Sequence, residues 1–240
     1  MTLTIREERP LSPMRRLIAE RLGRHEREVV RVTLHRDVDV SALAFHRARR
    51  PDPPSVEDYV IRACALALQE HPSFNALVSD GVHRLAAEVN IGIAVQTERG
   101  LVVPVLKDAH RLGVGEIARR RRGLVDRTRS WRHRPEDLEE GTFTVTNLGP
   151  FGVDAFTPVI NPPQVAILGI GRVRGEPPSA VMTLSLSFDH RVADGAEAAT
   201  FLQAIARALT EPGLLDVTHD GTADPGDARA LPGETPEPSR

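Results

Sequence analysis

The chain has 240 residues, of which 40% are hydrophobic and 27% are charged, an ordinary balance for a globular domain. The formal net charge of -2 and the lack of a long apolar run give no reason to expect a nucleic-acid or membrane partner. The single cysteine, Cys64, excludes an internal disulfide and a cysteine-rich metal site, and a cytoplasmic location is expected.

The first part of the chain alternates helical and extended patterns. Ser12 can cap a helix with Pro13 in its first turn, and the apolar residues that follow recur at helical spacing. Alternation over residues 30–40 predicts a strand. Residues 56–70, VEDYVIRACALALQE, form a strongly helical pattern that predicts a core position for Cys64.

The rest of the chain adds a hairpin, more strands and two helices. The segments are two extended stretches at 89–95 and 101–106 joined by QTERG, an arginine-rich helix at 115–129, strands at 142–146, 165–171 and 180–188, and a last helix beginning near Asp194. This mixture predicts an α/β domain with a mixed sheet over residues 1–215. Residues 216–240 are acidic and rich in Pro and Gly, so we expect a disordered tail.

The segment SFDHRVADG at 187–195 carries the strongest chemical signal. It places His190 on a short connection between a strand and a helix, where a side chain can project into a cleft and act as a general base. Asp194 at the helix start can cap free backbone N–H groups or bind a buried cation. The alternative for His190 is a surface histidine or a satisfied core histidine.

The segment TFTVTNLG at 142–149 provides a second functional group. Thr146 ends a strand just before a glycine-containing turn, and its hydroxyl could donate a hydrogen bond to a developing oxyanion. The alternative is that the alternating threonines reflect ordinary β propensity.

Several longer motifs occur in a fixed order. They are PLSPMRRLIAERL, VTLHRDVDVSAL, HPSFNA, VNIGIAV, GLVVPVL, GTFTVTNLG, FTPVINPPQVAILGIG and SLSFDHRVADGA. With them, about residues 9–215 resemble the dihydrolipoamide acyltransferase (E2) family of 2-oxoacid dehydrogenase complexes. The resemblance implies a chloramphenicol-acetyltransferase-like fold, a two-layer α/β sandwich with a mixed β-sheet.

The resemblance also assigns roles to the site residues. His190 would be the base and Thr146 the oxyanion donor, in a homotrimer where His190 of one chain faces Thr146 of its neighbour. Asp194 would be mainly structural and hold the His190 turn, with Arg15 or Arg16 as its partner.

The implied reaction moves an acyl group between a dihydrolipoyl thiol and coenzyme A, and it needs no metal. Coenzyme A is then a substrate, and the lipoyl group is supplied in trans, because no lipoyl or peripheral-subunit-binding domain is visible in the sequence. The E1 and E3 components of such a complex are possible partners, and trimers in this family commonly assemble into a larger cubic core.

Three other functions stay open. The chain could load an acyl carrier protein, acetylate a small-molecule hydroxyl as chloramphenicol acetyltransferases do, or serve as a non-catalytic scaffold. Chloramphenicol acetyltransferases usually have a second histidine where Asp189 stands.

The arginine run at 119–122 has two interpretations, capture of coenzyme A phosphates or a solvated helix surface.

Overall fold

The structure is a computed structural model that describes residues 4–216. The helices are α1 (Pro13–Glu28), α2 (Ser41–Ala48), α3 (Val56–Glu70), α4 (Val114–Arg129) and α5 (Gly195–Thr210). The strands are β1 (Arg31–Asp39), β2 (Ala76–Ser79), β3 (Val82–Leu85), β4 (Ile91–Ile93), β5 (Val95–Thr97), β6 (Gly100–Val102), β7 (Val105–Leu106), β8 (Phe143–Asn147), β9 (Ala166–Arg174) and β10 (Val181–Asp189). Apart from Asp216, the predicted tail at 216–240 lies outside the described residues.

A six-stranded mixed sheet forms one layer, with its strands in the order β1–β10–β9–β8–β4–β7. β10 is antiparallel to both β1 and β9, β8 is parallel to both β9 and β4, and β7 is antiparallel to β4. Helix α3 packs on both α4 and α5, α4 packs on β5 and β7, and α5 packs on β1 and β10, so the three helices form the second layer. The predicted class, a two-layer α/β sandwich with a mixed sheet, is confirmed.

The core between the layers contains a group of phenylalanines from distant parts of the chain. The rings of Phe74 and Phe201 stack with centroids 4.6 Å apart, and Phe188 and Phe143 meet them edge-on at 6.2 and 5.9 Å. Alternation along β10 places Phe188 on the helix side, because successive side chains of a strand point to opposite faces. The end of β10 that precedes His190 is therefore anchored in the core.

The opposite face of the sheet is covered by the chain between β8 and β9. Phe156 lies over Gly169, where an added Cβ would be 2.7 Å from the phenylalanine ring. Gly149 is similarly constrained, since its Cβ would lie 2.8 Å from the Gly171 carbonyl oxygen. Glycine at these two positions lets the segment after β8 lie close to β9.

One helix and one hairpin of two strands were not predicted from the sequence. Helix α2 has only eight residues and no side-chain hydrogen bond at its N-cap, so it lacks the usual start signal. The hairpin of β2 and β3 is short and largely exposed, and its turn contains Asp80 and Gly81, both with positive φ. The QTERG hairpin is present as β5 and β6, while β4 and β7 pair separately.

Helix α1 forms where it was predicted, with Ser12 accepting a hydrogen bond from the Arg15 N–H. Its apolar side chains do not enter the core, however, since Met14 and Leu17, like Leu11 just before the helix, are exposed. They line a groove of about 1170 Å³ between α1 and the β5–β6 hairpin.

Within residues 4–216, no helix is both long enough and apolar enough to cross a membrane.

Candidate active site

His190 lies on a tight turn between β10 and α5. The Asp189 carbonyl accepts a hydrogen bond from the Val192 N–H at 3.1 Å, which closes a four-residue turn with His190 at its second position. The His190 N–H donates to the Val30 carbonyl at 2.8 Å, and its ring lies 5.7 Å from the Phe188 ring, centroid to centroid. The side chain is 39% exposed, so it can exchange a proton with a molecule outside the chain.

Asp189 is almost completely buried beside this turn. Its carboxylate accepts hydrogen bonds from the Arg191 side chain, at 2.6 Å from Nη2, and from the backbone N–H groups of Arg191 and Val30. Burial by itself would raise the pKa of Asp189, but the bonds from Arg191 outweigh it and hold the pKa below its usual range. Asp189 is therefore a buried carboxylate that stays charged.

Asp194 is the N-cap residue of α5, as predicted from the sequence, and its N–H donates to the Glu197 carboxylate at 2.9 Å. Its own carboxylate is 83% exposed and lies 4.0 Å from Nδ1 of His190. The carboxylate of Asp194 is therefore near the imidazole of His190 but surrounded by solvent, so the two side chains do not form a buried Asp–His pair.

The predicted pairing of Asp194 with Arg15 or Arg16 is wrong for the described chain. Arg16 donates instead to the Leu11 carbonyl at 2.7 Å. Both arginines lie in the first turn of α1. The His190 turn contacts Val30, which follows the last turn of α1. At 1.5 Å per residue, a helix of this length separates the two positions by roughly 20 Å.

Thr146 lies next to last in β8, half-buried, at the wall of a cleft of about 430 Å³. We call this cavity the Thr146 cleft. Its other lining residues are Glu57, Ile93, Ala94, Val95, Gln96, Leu101, Arg121, Val125, Arg129, Asn147, Leu148, Pro150 and Phe151. The Asn147 side chain accepts the Gly149 N–H at 3.0 Å and shapes the turn that follows the strand. The cleft is thus mainly apolar around one hydroxyl, which suits a thioester.

One wall of the Thr146 cleft carries a buried ion-pair network. Arg121 of α4 donates to the buried carboxylate of Asp58 and, at 3.2 Å, to Glu57, both in the first turn of α3. Burial raises the pKa of Glu57, and the nearby guanidinium of Arg121 offsets only part of that increase. The network joins α3 to α4 and fixes this side of the cleft.

His190 and Thr146 lie at opposite ends of the sheet within one chain. Thr146 pairs with Gly169, which pairs with Ser185 on β10, and His190 follows Ser185 by five residues. The two residues are therefore separated by roughly 16 Å along the strands and by two strand spacings of about 4.8 Å. A single chain cannot bring the imidazole and the hydroxyl to one thioester.

The arginine run at 119–122 is engaged in ion pairs. Arg119 and Arg120 both bind Glu116, Arg121 binds Asp58, and Arg122 binds Asp52. This pattern favours the interpretation of a helix surface with satisfied charges over a phosphate site.

Within residues 4–216 there is no group of three or more His, Cys, Asp or Glu side chains that could hold a metal ion.

Sequence reasoning missed three residues that shape the site, namely Asp189, Glu57 and Arg121. Asp189 lies between β10 and His190. Because an Asp in a turn can accept a hydrogen bond from the N–H two residues later, its position in the sequence could have indicated this role. Glu57 and Arg121 are 64 residues apart, so only the packing of α3 on α4 brings them together.

Comparison with known proteins places the whole described chain in one group. Residues 4–217 match the family model of 2-oxoacid dehydrogenases acyltransferase (catalytic domain). The chain is 37% identical over 226 residues to the dihydrolipoyllysine-residue acetyltransferase component of the acetoin cleaving system of Bacillus subtilis, covering 87% of this chain and 56% of that protein. The chain spans about half the length of the curated relatives it matches.

Solved structures agree with this grouping. One is a dihydrolipoamide acetyltransferase of Azotobacter vinelandii, studied for the roles of a serine, a histidine and an asparagine in its catalytic mechanism. Another is the cubic core of the pyruvate dehydrogenase multienzyme complex. Both match with a TM-score of 0.82 and 30% identity, over 87% of this chain and 93% of theirs. A chloramphenicol acetyltransferase, with a TM-score of 0.53, 14% identity and coverage of 79% of this chain and 94% of its own, shares the fold.

Proposed function

Because this chain belongs to the family of 2-oxoacid dehydrogenase acyltransferase catalytic domains, we propose that it transfers acyl groups between a dihydrolipoyl thiol and coenzyme A. The observation that carries the proposal is the placement of His190 and Thr146, which lie exposed to possible substrates at opposite ends of one sheet. Two chains in contact can provide what one chain cannot, a base and an oxyanion donor at the same thioester.

In the proposed reaction, His190 acts on sulfur. Thiols have a pKa near 8.5, so few are ionised at neutral pH and a neutral imidazole is needed to accept the proton during attack. The thiolate sulfur bonds to the thioester carbon, and the carbonyl electrons move to oxygen. When the tetrahedral intermediate collapses, the other sulfur leaves and takes the proton back from His190.

Thr146 would stabilise the negative charge on oxygen in that intermediate. The apolar part of the lining of the Thr146 cleft supports this role, because a hydrogen bond to an anion is stronger in a less polar environment. Asp194, the N-cap residue of α5, would have a mainly structural role beside the His190 turn and would not exchange protons. The A. vinelandii relative was studied for a serine, a histidine and an asparagine, residues comparable in kind to Thr146, His190 and Asp194.

The proposal includes a homotrimer in which each chain contacts the next head to tail, so that every interface contains one active site. The lipoyl group would arrive on a lipoyl domain in trans, and the E1 and E3 components of a 2-oxoacid dehydrogenase complex would be its partners. The match to the cubic core of a pyruvate dehydrogenase complex supports assembly of such trimers into a larger core.

Mixed trimers test the shared site directly. We would co-express His190→Ala chains and Thr146→Ala chains with different affinity tags, isolate trimers that carry both tags, and assay them with acetyl-coenzyme A and dihydrolipoamide. Each mixed trimer has one interface with both intact residues, so we expect about one third of the unsubstituted activity from variants that are nearly inactive alone. Mixed trimers no more active than the parent variants would refute a site shared between chains.

The same assay separates the alternatives. Transfer to chloramphenicol but not to dihydrolipoamide would indicate a hydroxyl acetyltransferase, and transfer to an acyl carrier protein would indicate a carrier-loading enzyme. Activity of the His190→Ala variant close to that of the unsubstituted chain would refute the role of His190. Absence of transfer to any acceptor would leave the scaffold function.

A further inference from the structure

We propose that Asp189 is a positioning residue that holds the His190 imidazole in its reactive orientation, an inference that rests on the proposed function of His190 as the base. Asp189 does not reach the substrate, because its carboxylate is buried under the turn. It would act on the reaction only through the backbone that carries His190.

The first argument is the number of hydrogen bonds that converge on one carboxylate. Asp189 accepts from Nε and Nη2 of Arg191 at 3.0 and 2.6 Å, from the Arg191 N–H at 3.1 Å, and from the Val30 N–H at 3.4 Å. The bond to the backbone of Arg191 bridges over His190, because it links the residue before the histidine to the residue after it. The peptide unit that follows His190 is therefore fixed to the buried carboxylate of the residue that precedes it.

The second argument is that Asp189 and His190 both form hydrogen bonds with the backbone of Val30. Val30 donates its N–H to the Asp189 carboxylate and accepts the His190 N–H at 2.8 Å on its carbonyl. The Asp189 N–H donates in turn to the Val165 carbonyl at 2.9 Å. The turn is thus attached both to the chain after α1 and to the start of β9, and rotation of the His190 backbone would break bonds on both sides.

The third argument concerns chemical type. An ionised carboxylate only accepts hydrogen bonds, so it can satisfy all these donors at once. Asparagine has the same shape, but its NH₂ group would face donors of Arg191 or Val30, and one bond would be replaced by a repulsive contact. The Asp189→Asn change therefore loosens the turn while preserving its volume.

A matched substitution at another buried carboxylate can distinguish a role of Asp189 in the reaction from a role in stability alone. Asp137 is also buried, accepts the Arg134 N–H at 3.0 Å and a side-chain bond from Arg127 at 3.4 Å, and has a lowered pKa. It lies near the end of α4, away from both the His190 turn and the lining of the Thr146 cleft. Asp137→Asn should reproduce the loss of a buried carboxylate without moving His190.

The experiment compares Asp189→Asn and Arg191→Gln with Asp137→Asn in the full chain, with kcat and KM measured for acetyl-coenzyme A and dihydrolipoamide. A displacement of about 1 Å at a reacting group can cost on the order of a hundredfold in rate, so we expect kcat of Asp189→Asn to fall by about ten- to a hundredfold. Because Asp189 does not contact the substrate, both KM values should stay within about twofold, and Asp137→Asn should keep kcat within about twofold.

A kcat of Asp189→Asn equal to that of Asp137→Asn would overturn the inference. If Asp189→Asn does not fold, Arg191→Gln decides, because the Arg191 side chain is partly exposed and its loss leaves both backbone bonds to Asp189 intact. A folded Arg191→Gln variant with unchanged kcat would contradict the inference, and a several-fold lower kcat with unchanged KM would support it. An active His190→Ala variant would instead refute the proposed function itself.

Discussion

At the residue scale, Thr146 offers the sharpest chemical test, because alanine removes its hydroxyl whereas serine keeps the hydroxyl and removes only the methyl group. Thr146→Ala deletes the donor, and loss of one oxyanion donor typically lowers kcat by about a hundredfold. Thr146→Ser keeps the hydroxyl, so we expect it to retain most of the activity, with KM for coenzyme A nearly unchanged in both variants. Steady-state kinetics of the pair provide the check, and equal losses in both variants would assign Thr146 to packing instead.

Cys64 is expected to be chemically inert in the folded protein. Its thiol is completely buried in α3, and burial raises its pKa far above the usual value, so the reactive thiolate is not populated. Alkylation by iodoacetamide, followed by mass spectrometry, should modify Cys64 only after denaturation. Rapid modification of the native protein at neutral pH would show that α3 is not packed as described.

Asp137 should make the protein sensitive to acid. Burial alone would raise its pKa, but hydrogen bonds and charge from Arg134 and Arg127 lower it below its usual range. A carboxylate with a lowered folded-state pKa stabilises the fold above the unfolded value of about 3.9, and that contribution is lost as the pH falls further. Urea unfolding between pH 7 and pH 3 should therefore show a smaller loss of stability for Asp137→Asn than for the unsubstituted chain.

At the scale of elements, one buried arginine adds an ion pair to the contact between α3 and α4. Arg121 is mostly buried and pairs with Asp58, whereas Arg119 two residues earlier pairs with Glu116 at the surface. Breaking a buried pair leaves an uncompensated charge and typically costs 3–5 kcal/mol, while an exposed pair contributes about 0–1 kcal/mol.

We therefore expect Arg121→Met to lower the free energy of unfolding by about 3 kcal/mol, and Arg119→Met to change it by less than about 1 kcal/mol. Chemical denaturation at one pH measures both variants under the same conditions. Similar values for the two variants would mean that the Asp58 carboxylate finds another partner when Arg121 is removed.

Helix α1 shows that a correct element prediction leaves the packing of the element open. Its apolar residues have helical spacing, and the helix forms at the predicted place. Yet Leu17 is 61% exposed, and of all its residues only His25 is buried. Spacing in the sequence reveals that a helix has an apolar face, but not which surface covers it.

At the scale of the whole molecule, that uncovered face leads to a prediction about assembly. If trimers form, the exposed apolar residues on α1 would be stabilised by contact with another chain, at roughly 25 cal/mol per Å² buried. We expect a trimer or a multiple of it by light scattering, and a smaller species after Leu17→Glu. Val82→Glu, on the exposed hairpin, serves as the control and should leave the mass unchanged. A monomeric unsubstituted chain that is fully active would contradict both the assembly and the shared site.

The sequence by itself determined most of the local structure and the chemical groups. Alternation defined β1, β8 and β10, helical spacing and caps defined α1, α3 and α5, and ordered motifs indicated the family and its two-layer fold. These features depend on neighbours in the chain, so they can be inferred without coordinates. His190 could be named as a candidate base because the strand before it and the helix after it are both strong local signals.

Only the tertiary structure decided where those groups stand relative to one another. Strand order and register put His190 and Thr146 at opposite ends of the sheet, and the same register attached Asp189 to Val30. The length of α1 carried Arg15 away from Asp194. Such distances depend on pairings between segments far apart in the chain, and no local pattern of residues encodes them.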